Sequence, residues 1–207
     1  MQLKNLILIV LLALSITSSS SIWAQESLAS SERWPQVTVS TSEEFMLLGS
    51  TTIDLYEVAR AEIHIFVETE NRVVRRLYWI QFEGYYEEND ITYDYSEEPW
   101  RVEIDGLSFY AGSNAYEKEN ITEAIVGSDS HAVAQMVEGS GFSLPNEIIR
   151  SRLVHLDDAR RNELMIIYME DLELSGATLE DLETNNFEQS RLFELIRDRA
   201  VTGLDIQ

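Results

Sequence analysis

The sequence contains no cysteine. That absence removes thiol nucleophiles, thiolate zinc sites, sulfur-linked haem, a lipid anchor on cysteine and every disulfide. Lysine is almost missing too: Lys4 and Lys118 are the only ones, and the other basic residues are arginines. Positive charge as a whole is scarce, with 15 Lys and Arg against 37 Asp and Glu and a formal net charge of −22. No basic stripe interrupts this balance, so nucleic acid and anionic lipid would be repelled. Proline occurs only at 35, 99 and 145, and neither an internal repeat nor a Pro/Gly/Ser-rich linker divides the chain. The apolar run Leu6–Leu14 falls well short of the ~20 residues that cross a bilayer. The G-x-S-x-G and H-E-x-x-H motifs are both absent.

What is present at the N-terminus reads as a targeting segment. Lys4 supplies a cationic head, Leu6–Leu14 an apolar middle, and Ala24-Gln25 a small residue before a polar one. This pattern predicts a secretory signal peptide over 1–24 and an exported protein, periplasmic or secreted, with no stable membrane anchor after cleavage. Residues 25–36 are small and polar and read as a flexible lead-in to a single domain over 37–207. Without disulfides, that domain must be held by packing and backbone pairing alone. Its acidic, lysine-poor surface suits a salty medium, where screening relieves self-repulsion.

Periodicity predicts strands first and helices later. Glu62–Val67 alternates with Ile63, Ile65 and Val67 on one side, Thr69–Arg72 is a polar turn, and Val73–Phe82 is rich in β-formers, which makes a hairpin. A second hairpin is expected where Trp100, Val102 and Ile104 run into Asp105-Gly106, the dipeptide that favours a type I′ turn. Ser128 caps a helix with Ala132, Val133, Met136 and Val137 on one face and Gly139 as its stop. Arg152–Leu156 and Glu163–Met169 read as strands around the turn 157–162. The second is apolar on both faces and belongs at the centre of a sheet. Helices are predicted over 178–183 and 186–202, the latter with Phe187, Phe193, Ile196 and Ala200 in line and ion pairs Glu188–Arg191 and Glu194–Arg197. The expected fold is therefore α+β: one strongly bent, mostly antiparallel sheet, half-barrel-like, with helices packed on one face.

Several residue sets bear on chemistry. Gly127-Ser128-Asp129-Ser130-His131 holds the residue types of a catalytic triad, but as sequence neighbours they are explained by a helix cap. His64, His131 and His155 are far apart; His64 is expected on the polar side of an edge-like strand, and no metal site or cofactor is expected. The acidic residues Glu87, Glu88, Asp90, Asp94, Glu97 and Glu98 lack the spacing of a calcium loop and read as a solvated segment. Asp157–Glu163 mixes charges within one turn, so its arginines either grip an anion or pair with nearby acids. Asn120-Ile121-Thr122 matches a glycosylation acceptor.

The aromatic residues are the most suggestive feature. Eleven of them, more than half of the total, fall between 78 and 116. Tyrosine and tryptophan combine an apolar face with a polar tip, which suits the wall of a ligand cavity as well as a core. Trp79, Tyr93, Tyr95, Trp100 and Tyr110 are the candidate contacts, with Tyr78 and Trp79 facing opposite sides of their strand. The favoured reading is an envelope binding or accessory protein, rather than an enzyme, that takes a small apolar or aromatic molecule or a protein partner. One alternative is a carboxylate-dependent hydrolase using Asp157, Asp158 or Glu163. Another is a structural envelope component that docks on a second protein.

Overall fold

Tight left-handed turns set most of the strand connections. A computed structural model describes residues 28–207. The expected signal peptide 1–24 lies outside the described residues. Asp105 and Gly106 adopt φ of 49° and 85°, the positive pair that a type I′ turn demands. They join β6 (Trp100–Ile104) to β7 (Leu107–Glu117) as expected. Asn71 and Arg72, with φ of 52° and 66°, turn β4 (Ala59–Glu70) into β5 (Val73–Tyr85). Tyr56 and Glu57 do the same between β3 (Met46–Leu55) and β4. Two further long strands, β8 (Glu147–Leu156) and β9 (Asn162–Asp171), are joined by the turn 157–161.

These seven strands form one antiparallel sheet in the order β3-β4-β5-β9-β8-β7-β6. The expectation for Glu163–Met169 is met, because β9 lies mid-sheet and is almost wholly buried. Side chains alternate across each strand, so the sheet has two apolar faces. Ala61, Ile63, Ile65, Leu77, Trp79, Met165 and Ile167 share one face, which α1 (Glu119–Thr122) and α2 (Asp129–Gly139) help to cover. Phe66, Tyr78, Ile80, Phe82, Leu153, Ile166 and Tyr168 share the other, beneath α3 (Leu179–Thr184) and α4 (Asn186–Thr202). Short strands β1 (Leu28–Ser30), β2 (Thr38–Thr41) and β10 (Leu204–Ile206) make a separate three-stranded sheet.

Two expectations about shape are corrected. The large sheet is not strongly curled, and its edges β3 and β6 lie at opposite ends without pairing. Helices cover both faces, not one. The cause is common to both: strands β5, β8 and β9 are apolar on both sides, so each side needs its own cover and neither can close into a barrel interior. His64 likewise sits on an inner strand, between β3 and β5, with its ring against Phe82. Burial holds its pKa below the usual value. Residues 28–36, expected as flexible lead-in, contain β1 and the ring of Trp34, which stacks on His155 at 5.0 Å.

The helices start where capping side chains predict. Ser128 Oγ accepts the His131 N–H at 3.1 Å, and Thr178 with Asp181 makes a capping box. In α4 the buried line is Leu192, Ile196 and Ala200, while Phe187 is 79% exposed. Glu188 pairs with Arg191 as expected. Arg197, expected to pair with Glu194, instead reaches Asp198 and lies over the Trp100 ring at 4.8 Å. No helix among the described residues is long and apolar enough to cross a membrane.

Candidate functional site

Alternation along β5 puts Trp79, Gln81, Glu83 and Tyr85 on one face, and there they form a relay. Trp79 Nε1 donates to Gln81 Oε1 at 2.9 Å, and Gln81 Nε2 donates to Glu83 Oε2 at 2.5 Å. Pairing with β9 places Glu163 directly opposite Glu83, which brings the two Cβ atoms within ~5 Å. Both are buried, Glu83 at 8% exposure and Glu163 at 2%. Two carboxylates facing one another at the centre of a sheet are costly to bury unless each is hydrogen-bonded.

Beside Gln81, the donors come from the segment 86–99, which folds back over this face. Tyr93 donates its hydroxyl to Glu83 Oε1 at 2.7 Å, and Tyr95 donates to Glu163 Oε2 at 2.9 Å. Their rings stand in a row with Tyr85: centroids are 4.3 Å apart for Tyr85–Tyr93 and 6.4 Å for Tyr93–Tyr95. Arg152 on β8 lies over the Tyr95 ring at 5.0 Å and is held by the Glu98 carboxylate. Glu98 in turn rests on the bare backbone of Gly112, where any Cβ would strike it.

The mixed-charge turn 157–162 anchors that segment through its arginines. Arg161 donates to the carbonyls of Tyr86 (2.6 Å), Asn89 (2.6 Å) and Ile91 (3.3 Å), while Arg160 pairs with Asp94 at 2.9 Å. Asp157 accepts Arg161 N–H and the Asn162 amide and side chain, which shapes the turn. Of the residues set aside for a hydrolase, Asp157 is thus structural, Asp158 lies on the surface, and only Glu163 reaches a cavity.

That cavity measures about 290 Å³. Glu83 and Glu163 form its floor, with Tyr85, Tyr93, Tyr95, Arg152, Met165 and Asp129 around them. Leu55, Tyr56 and Val58 from the β3–β4 hairpin make the lip. Tyr56 stands 61% exposed there, in a left-handed conformation that bulky side chains disfavour.

The two floor carboxylates differ in their bonding. Both oxygens of Glu83 accept a hydrogen bond; Glu163 uses only Oε2, and its Oε1 takes none from any described residue. Burial, followed by the charge of Glu83, pushes the Glu163 carboxyl up to about 8, against the opposing pull of Tyr95 and Arg152. Burial also raises Glu83. Tyr93 and Tyr95 are raised by burial and by the adjoining carboxylates, so they remain proton donors. The comparison within the same sheet is instructive. Glu170, buried on the opposite face, accepts from Tyr168 at 2.5 Å and Arg199 at 2.6 Å, with Arg76 at 3.8 Å. It is saturated and ties α4 to the sheet, as a structural carboxylate should; Glu163 is not.

Of the expected contact residues, Tyr93 and Tyr95 line the cavity. Trp79 is fully buried in this face and joined to Glu83 through Gln81. Tyr110 extends the ring row, 6.4 Å from Tyr95 and capped by Arg101 at 3.8 Å. Trp100 does not join them, because alternation turns it to the opposite face against α4. Glu83 was not anticipated. Its signal is the polar pair Gln81 and Glu83 at alternate positions in the apolar and aromatic run that starts at Leu77. Among the described residues no set of three His, Asp or Glu side chains is arranged to hold a metal ion. The chain matches no family model, no curated protein and no solved structure.

Proposed function

We propose that this protein is an exported binding protein that takes a small molecule in the cleft between the Tyr85–Tyr93–Tyr95 row and the Glu83–Glu163 floor. One observation carries the reading: Glu163 is nearly inaccessible, lines a cavity of about 290 Å³, and leaves one carboxylate oxygen without a partner among the described residues. That oxygen opens onto the cleft rather than being sealed in the core, so it is free to accept a donor or meet a positive centre brought by a ligand. The stacked rings add apolar area with little rotamer freedom to lose, which favours binding. Trp79 supplies the readout, since its indole is linked to Glu83 through one amide. Ligands that enter the cleft are expected to change its fluorescence, and Tyr85→Ala is expected to abolish the change without unfolding the protein. A ligand panel that leaves the emission and the melting temperature unmoved would count against the proposal.

A second reading rests on the same pair. Two buried carboxyls that face one another and resist ionising together are the arrangement of a general acid and base. As a hydrolase the protein would use Glu163 as acid and Glu83 as base or nucleophile. Generic glycoside and ester substrates discriminate the two, because turnover that Glu163→Gln eliminates belongs only to the enzyme.

A further inference from the structure

Charge in the cleft is one-sided. Glu83, Glu163 and Asp129 line it, and its single cation, Arg152, is already neutralised by Glu98. An anionic ligand would therefore meet three carboxylates and no free positive group. The phenols of Tyr93 and Tyr95 direct their protons onto the carboxylates, so what they and the floor offer a guest is ring surface and the lone pairs of carboxylate and phenol oxygens. Those are the two surfaces that attract a soft cation: π faces by their quadrupole, carboxylates by their charge. The tyrosine row already carries one such guest of its own, the guanidinium of Arg152 over Tyr95. Beyond the cleft, a chain of net charge −22 concentrates cations at its surface and repels anions.

We propose that the cleft selects small organic cations, quaternary or protonated amines, with the positive centre placed between Glu83 and the open oxygen of Glu163 and the carbon groups against the tyrosine row. This inference rests on the cleft being the ligand site and adds the class of ligand. The cation balances the second buried charge, so the dyad no longer needs a proton on Glu163. Binding releases that proton to solvent, and no covalent step is involved.

The test is calorimetric titration of the intact protein with three probes of one shape: choline, its neutral isostere 3,3-dimethyl-1-butanol, and the anion 3,3-dimethylbutanoate. The expected result is choline binding about tenfold or more tighter than the neutral probe, with the anion weakest. Choline carries a permanent charge, so its affinity should climb as pH is raised through about 8, where Glu163 loses its proton. The neutral probe should show no such climb. Glu163→Gln should weaken choline by about tenfold and affect 3,3-dimethyl-1-butanol much less. If that variant does not fold, the pH series on the unmodified protein decides the matter alone. Equal affinities for choline and the alcohol, a flat pH profile, or no choline binding would each overturn the cation assignment. Should neutral sugars or alcohols bind and displace one another while choline does not, the cleft remains a ligand site and only its class is wrong. If no probe of any charge binds, the reading of the cleft as a ligand site fails as well.

Discussion

Glu163 makes the protein's stability depend on pH in a direction opposite to that of ordinary surface carboxylates. In the folded state its carboxyl is pushed up to about 8, against 4.5 for an ordinary glutamate. Between those values the folded protein holds a proton that the unfolded chain has released. Folding is therefore favoured at the low end of the interval, and that advantage is lost as pH rises through about 8, a change of roughly 5 kcal/mol at most. Thermal melts between about pH 5 and about pH 9 are expected to show the midpoint falling. Glu163→Gln cannot ionise, and it should flatten the descent and melt higher than the parent at the alkaline end. Parallel curves for the two proteins would mean that Glu163 ionises normally. The exposed pairs behave the other way: Asp94, held at about 2 by hydrogen bonds from Ser96 and then Arg160, matters only under acid conditions.

At the scale of elements, the cleft depends on a segment with no regular structure. Residues 86–99 contribute Tyr93 and Tyr95, and three carbonyls of the same stretch are gripped by Arg161. Arg161→Met would remove those charge-assisted bonds at a cost of about 2–3 kcal/mol. Limited proteolysis should then cut within 86–99 while the strands stay protected, and probe affinity should fall with it. Unchanged protection would show that the tyrosine hydroxyls hold the segment without help. Local elements were largely legible in the sequence. The Asp105-Gly106 hairpin, the Ser128 cap and the central placement of β9 each depend on a few neighbouring residues. The open, doubly covered sheet was not legible, because it depends on which strands become neighbours. The site divides the same way. Tyr93, Tyr95 and Glu163 could be picked out by residue type and position, whereas Glu83 gains its meaning only from being paired with Glu163. Trp100 shows the converse: composition grouped it with the other rings, and strand alternation sent it to the far face.

For the molecule as a whole, self-repulsion and packing compete. A net charge of −22 spread over one domain without crosslinks disfavours the compact state wherever screening is weak. Raising salt from 0.01 M to 1 M shortens the screening length from about 30 Å to about 3 Å. The melting temperature is expected to rise by several degrees over that range, in a single transition shared by both faces of the sheet. A constant or falling midpoint would indicate that the surface ion pairs, which salt also weakens, outweigh the repulsion.

The opposition of Glu83 and Glu163 across β5 and β9 has a consequence for quality control. If β9 slipped by two residues, every side chain would keep its face and both apolar layers would still be covered. Glu163 would then stand beside Gln81 or Tyr85, and the dyad would be gone. Such a molecule would look folded by circular dichroism, yet lack the facing carboxylates on which the proposed site depends. If the cleft is the ligand site proposed above, capture of a ligand is a stricter criterion of native structure for this chain than any measure of secondary structure or compactness.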